Sequence, residues 1–259
     1  MRFLQVIIYI SVLFFLVAII IKFIKIASSP IHLRWELYPV PHEKGRAKWG
    51  GSRMEEVDWW KKKQKKDRLG EWKVLIPEIA LLKGVWDHNK DLWFGSFPFH
   101  FALYLLFVNY FLIVLSILLE KAGVLGFPPG WIEWMLAYSI KIIEWTAAIL
   151  GTLGAIRLLF SRIVDGKLRK YSTVSHYFNI LLIGAIYLTD LLWLLSDKMY
   201  WINVWTIVNS LITFTALQHI PLIGVINIML IMFFLIYLPF THMTHFFTKY
   251  FTYHKVRWE

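Results

Sequence analysis

Residues 199–217 read MYWINVWTIVNSLITFTAL, nineteen positions without a charge. Length alone would carry them across a bilayer, because about 20 apolar residues span the hydrocarbon layer. Asn203, Thr206, Asn209, Ser210, Thr213 and Thr215 interrupt the run, however. Whether it crosses or lies in the interface sets which side of the membrane everything after it occupies. We read it as an interfacial or half-inserted helix.

Working outward, five other stretches are long and apolar enough to cross: residues 3–26, 97–119, 134–160, 174–195 and 220–247. The basic residues decide between five and six crossings, since short segments rich in Lys and Arg stay cytoplasmic. Sixteen lie between Lys22 and Lys90, among them Lys61, Lys62, Lys63, Lys65 and Lys66. Five more occupy 157–170, and the tail adds Lys249, Lys255 and Arg257. The opposite side carries three, Arg2, Lys121 and Lys198. A crossing by 199–217 would put the basic tail outside. The expectation is therefore an all-α membrane protein, a five-transmembrane-helix bundle with its N-terminus outside and its C-terminus in the cytoplasm. Its organisation reads as a first transmembrane helix (1–26), a basic, Trp-rich cytoplasmic interfacial segment (27–96), and a four-helix transmembrane region (97–259) carrying the interfacial helix.

Composition agrees. Of 259 residues, 58% are hydrophobic and the mean hydropathy is +0.55. A soluble domain of that size cannot hide so much apolar surface in one core. The net charge of +11 sits in blocks between apolar runs rather than along a soluble face, which points to anionic lipid headgroups and an acidic protein partner, not nucleic acid. With no cysteine, the chain itself has no thiolates for an iron–sulfur cluster, no thioether-attached haem and no disulfide. The first apolar run is longer than a signal-peptide core and no small-residue cleavage site precedes Lys22, so it is read as a retained span. Within 27–96, Trp35, Trp49, Trp59, Trp60, Trp72, Trp86 and Trp93 alternate with charge. This suits anchoring in the headgroup layer and equally a docking platform for a cytoplasmic subunit.

Nine histidines occur, and those at the ends of apolar helices carry information. An imidazole in lipid is expensive without a hydrogen-bond partner or a metal. His100 lies just inside the second span. His242 and His245 lie near the end of the fifth, and with five crossings all three reach similar depth. A haem held by two imidazoles needs one from each of two facing helices at one level, which His100 and His245 satisfy. The plainer alternative for each is an interfacial histidine bonded to a carbonyl. His245 is five helical turns from Asn227 at 3.6 residues per turn, so the two share a face in a continuous helix and His242 is rotated away. His176, His219, His32, His42, His88 and His254 read as solvated.

Haem propionates would lie near the cytoplasmic boundary, within reach of Arg157, Arg162 and Arg34, although the positive-inside bias explains those arginines as well. Lys141 and Glu144, three apart in the third span, can neutralise each other. Gly151 and Gly154 allow close helix contact. Asp190 has no sequence-local partner, and an intramembrane carboxylate is a candidate for a proton or quinone role.

Several segments resemble the membrane cytochrome b (gamma) subunit of respiratory nitrate reductase and its relatives in sulfite-reductase-linked and heterodisulfide-reductase-like complexes. They are WELYPVPHE at 35–43, GGSRMEEVDWW at 50–60, SFPFH at 96–100, YSTVSHYFN at 171–179 and LPFTHMTH at 238–245. The family holds two b haems through four histidines on the second and fifth spans. Its cytoplasm-proximal ligands fall on His100 and His245, and its outer ligands on Tyr110 and Asn227, which are not ordinary haem ligands. The resemblance therefore implies one haem b, with Tyr110, Asn227 and Asp190 around an outer site for quinone or lipid. It also implies menaquinone as substrate, a cytoplasmic iron–sulfur subunit of the heterodisulfide-reductase-like kind as partner, and a multi-pass place in the cell inner (cytoplasmic) membrane of an anaerobically respiring cell. Any quinone-linked oxidoreductase activity would belong to the whole complex. The competing expectation is a cofactor-free anchor for a cytoplasmic redox enzyme. A transporter would usually show internal repeats or broken helices in matching positions, and the sequence shows neither.

Overall fold

The computed structural model describes residues 2–29, 43–45, 55–63, 65–126, 129–245 and 248. Outside them lie Arg34, His32, His42 and His254, the tail residues Lys249, Lys255 and Arg257, and nearly all of the motif segments at 35–43 and 50–54. The described residues are helical, apart from turns and one isolated bridge between Glu43 and Lys66.

Five helices are long and apolar enough to cross a membrane: Arg2–Ser28, Lys90–Lys121, Trp131–Val164, Val174–Ser196 and Leu222–Phe240. The protein is thus an all-α, five-span membrane bundle, as the apolar run lengths require. In chain order the helices are α1 (Arg2–Ser28), α2 (Arg68–Ala80), α3 (Lys83–His88), α4 (Lys90–Lys121), α5 (Trp131–Val164), α6 (Gly166–Lys170), α7 (Val174–Ser196), α8 (Tyr200–Thr213) and α9 (Leu222–Tyr237). At 1.5 Å per residue, α4 and α5 run to about 50 Å and exceed a hydrocarbon layer of about 30 Å. With 14 residues, α8 reaches only about 21 Å and is too short to cross.

The helix starts follow local chemistry. Asn89 Oδ1 accepts from Leu92 N at 3.0 Å to cap α4. Glu133 accepts from the amides of Gly130 (2.9 Å) and Gly126 (3.0 Å) at the start of α5. His176 Nδ1 accepts from Thr173 N at 2.9 Å to open α7. Each satisfies amides that a helix N-terminus leaves without partners.

The chain divides into two compact units, Met1–Leu13 with His88–Ile236, and Phe14–Asp87 with Tyr237–Glu259. In the first, α5 is central and packs on α4, α6 and α7. The α4–α5 contact is close because Gly154 lacks a side chain: a Cβ there would stand 2.6 Å from Phe99 N. Beside it the Tyr187 ring covers Gly151, where a Cβ would meet ring atoms at 2.5 Å. Glycine at both positions is what lets these helices touch. The core continues through Ile113, Ile117, Ala148, Trp193, Val204, Ile228 and Met232.

Helix α8 is held at both ends. Asp197 starts it, accepting from Trp193 Nε1 (2.9 Å), Asn203 Nδ2 (2.8 Å) and Met199 N (2.8 Å). It stops at Phe214, whose φ of 57° is left-handed, and its end carbonyls meet side chains of α1. Tyr9 donates to Leu211 O at 2.8 Å, and Gln5 Nε2 to Thr215 O at 2.8 Å. That accounts for a glutamine in an apolar span, since end carbonyls need donors.

In the second unit, Asp67 caps α2 by accepting from Gly70 N at 2.8 Å, and Glu78 accepts from Gly84 N at 3.0 Å at the head of α3. Trp59 and Trp60 meet edge to face, with Trp60 and Trp72 exposed. Pairs such as Lys62–Glu56 (2.9 Å) lie on the surface and add little stability.

Candidate functional site

His100 sits two residues after Pro98 within α4. It is half-buried, and its Nδ1 lies 2.7 Å from Ser96 O. A carbonyl on Nδ1 fixes the tautomer and ring orientation and makes Nε2 the nitrogen offered to a metal. Trp93, Phe97 and Phe101 stack along the same helix, with centroids 4.5 and 5.4 Å apart. Tyr187 donates to Phe99 O at 2.9 Å from α7. Arg157 of α5 lays its stem on this stretch, its Cγ 3.0 Å from where a Cβ on Gly95 would be. His100, the arginine expected to meet propionates and a dense aromatic wall thus share one end of the first unit.

The fifth-span histidines stand differently. The sequence suggested one helix through 220–247, in which Asn227 and His245 share a face. Helix α9 instead ends at Tyr237, and 3-10 turns follow at Leu238–Phe240 and His242–Thr244. Pro239 has no amide hydrogen and its ring crowds the preceding turn, and Thr241 is extended, with φ −109° and ψ 171°. The helical phase is therefore not carried past Tyr237. His242 and His245 are both exposed, and His245 Nδ1 lies 3.1 Å from His242 O. Within the same unit, Lys22 donates to Pro239 O at 2.8 Å and Thr241 O at 3.3 Å, supplying donors for carbonyls at the break.

In each of His100 and His245, Nδ1 lies near a backbone carbonyl, which leaves Nε2 as the nitrogen that could meet a metal.

A second polar constellation was only partly visible in the sequence. Asp190 is buried, and its Oδ1 accepts from Tyr200 OH at 2.8 Å. The same hydroxyl lies 2.9 Å from Glu144 Oε1, and Asn109 Nδ2 donates to Glu144 Oε2. Glu144 and Asp190 thus meet at one hydroxyl. The expected neutralisation of Glu144 by Lys141 is not what forms. Lys141 is exposed and stands over the Trp201 ring, 6.0 Å from its centroid, while Glu144 turns inward to partners on α4, α7 and α8. An apolar interior makes a buried carboxyl take every donor within reach.

Of the residues expected around an outer site, Tyr110 interacts electrostatically with both Glu144 and Asp190. Asn227 goes elsewhere: its Nδ2 donates to Ile186 O and to Thr189 Oγ1, each at 2.9 Å, so it ties α9 to α7. Glu144, Asn109 and Tyr200 are the members that sequence reasoning missed. The one signal for them was polarity in mid-span, at Asn109 and Glu144. No family model matches the chain, and no curated protein or solved structure matches it either.

Proposed function

We propose that the chain is a membrane cytochrome b-type subunit that moves electrons between menaquinone and a cytoplasmic iron–sulfur partner, through one haem held by His100 and His245. The observation that carries this reading is His100 itself, an imidazole in a membrane helix with Nδ1 on the Ser96 carbonyl and an arginine stem against the same end of α4. The haem supplies one-electron transfer when bound. The protein's part is to orient the imidazoles, to place Arg157 for the propionates and to exclude water with the 93/97/101 aromatic stack. The motif resemblance at 96–100 and 238–245 supports the same assignment.

The charge distribution supports an N-out, C-in topology in the cytoplasmic membrane. The block of lysines at 61–66 would then meet an acidic redox partner, since complementary charge steers such encounters. Tyr110 and Asp190 remain the residues for a quinone at the outer end. The exposure of His242 and His245 favours the second reading, a cofactor-free anchor.

A dithionite-reduced minus oxidised spectrum of the purified chain, with pyridine haemochrome quantification, separates the two. We expect one b haem per chain, lost in His100→Ala and in His245→Ala. Two haems would mean that the outer ligands are misassigned, and none would leave the anchor.

A further inference from the structure

The Tyr200 hydroxyl has one hydrogen and two carboxyl oxygens to face, Asp190 Oδ1 at 2.8 Å and Glu144 Oε1 at 2.9 Å. It can make a full hydrogen bond to only one of them, or a weaker three-centre bond to both. A full hydrogen bond on each side needs the second carboxyl to donate to the phenol oxygen, and so to carry a proton itself. Two carboxyls brought to one hydroxyl would repel one another if both were ionised, which favours a proton on one of them. No N–H or O–H donor among the described residues reaches Asp190 Oδ2, although it is buried.

Nor does a cation among the described residues pair with either carboxyl. Lys141, one turn from Glu144, points to Trp201. The side chains hydrogen-bonded to the carboxyls are Asn109 from α4 and Tyr200 from α8, with Tyr110 of α4 near enough to interact electrostatically, and none is basic. Asn109 is fully buried, its Nδ2 on Glu144 and its Oδ1 without a partner among the described residues. An acceptor left open there, beside an acid, is a place for a mobile O–H.

We propose that Glu144 and Asp190 share one exchangeable proton, clasped by Tyr200, and form a proton-binding site inside the bundle. With the proton present the pair carries a single negative charge. Its release would leave two adjacent carboxylates in a poorly polarisable interior, so exchange proceeds by replacement of the proton rather than by standing ionisation. Tyr200 is itself buried, and it opens α8 two residues on from the exposed Lys198. The site does not depend on the electron-transfer reading, since its proton is present whether or not haem or quinone is bound.

Infrared spectroscopy of the purified full chain at neutral pH tests this. Solvated carboxylates are ionised there, so a carboxylic-acid carbonyl band that shifts in heavy water reports a buried proton. We expect intensity for one acid per chain, absent from the double variant Glu144→Gln/Asp190→Asn, and shifted in frequency in Tyr200→Phe. An acid band worth two carboxyls per chain, no band at all, or a band that survives the double variant would overturn the proposal. Should the double variant fail to fold by circular dichroism, the wild-type intensity and the Tyr200→Phe shift decide, and an unshifted band in Tyr200→Phe would overturn the clasp.

Discussion

Around Phe99 the helices α4 and α5 meet almost backbone to backbone over Gly154, whereas around Asn109, further along α4, the same two helices join through an amide and a carboxyl. The first level closes by removing side chains, at Gly151 and Gly154, and filling the space with Tyr187 and Phe99. The second keeps its side chains and satisfies them against one another. Both contain a tyrosine bridging helices, and the acceptors differ. Tyr187 donates to a backbone carbonyl, whereas the Tyr200 hydroxyl lies between a pair of acids. The first level is a rigid wall beside His100. The second is a place where charge and protons are held, and it requires α8 to be docked.

The comparison breaks most severely at Gly154. A methyl group there would press on backbone atoms of Phe99, 2.6 Å from N and 2.9 Å from Cα, and a backbone cannot swing aside as a side chain does. We expect Gly154→Ala to cost roughly 1–3 kcal/mol by overpacking, and Gly154→Val to prevent the bundle from assembling. Thermal unfolding in detergent, followed by circular dichroism, reads the effect. A neutral Gly154→Ala would mean that α4 and α5 stand further apart than the glycine implies.

The two tyrosines sharpen the contrast. In Tyr187→Phe the ring still covers Gly151 and only a neutral hydrogen bond is lost, which is expected to cost about 0.5–1.5 kcal/mol. In Tyr200→Phe the ring keeps its edge-to-face contact with Trp193 at 4.9 Å, but two buried acids lose their shared partner. Hydrogen bonds to charged groups contribute about 1.5–3 kcal/mol, so Tyr200→Phe should be the more destabilising. Equal shifts in the unfolding midpoint would show that the acids draw nothing special from Tyr200.

What the sequence disclosed follows from how local each signal is. The five spans were legible because run length needs no partner. The non-crossing nature of α8 was legible from the six polar residues of 199–217, and its termination at Phe214 keeps it short. Glu144 misled because its nearest cation in the sequence, Lys141, is one helical turn away. Its actual partners Asn109 and Tyr200 lie 35 and 56 residues distant. Gln5 was invisible for the same reason, as its acceptor is 210 residues off. The phase carried from Asn227 to His245 failed for a cause printed in the sequence, Pro239, whose missing amide ends the regular helix. His100 was legible as an imidazole at the end of an apolar run, and the carbonyl that orients it, that of Ser96, lies one turn back.

The smallest expected effect is at the corner that positions Tyr200. Asp197 makes three hydrogen bonds there, to the Trp193 indole, the Asn203 amide and the Met199 backbone. Partial burial would raise its pKa, but the bonds from Trp193, Met199 and Asn203 outweigh that and hold it below the usual aspartate value. A carboxyl whose folded pKa is depressed stabilises above the unfolded value, about 4, and loses that contribution as pH falls through the folded value. The corner should therefore be intact at neutral pH and loosen only in acid below the ordinary aspartate range. Amide hydrogen exchange at Met199–Asn203 is expected to accelerate there, after correction for intrinsic rates, and in Asp197→Asn it should already be modestly faster at neutral pH. Among the described residues no such carboxylate is hydrogen-bonded at the Phe99 level, so exchange in α4 near Tyr187 should not follow the acid transition. If it did, the two levels would be opening as one unit, and α8 would be a strut of the whole bundle rather than the latch of its carboxyl pair.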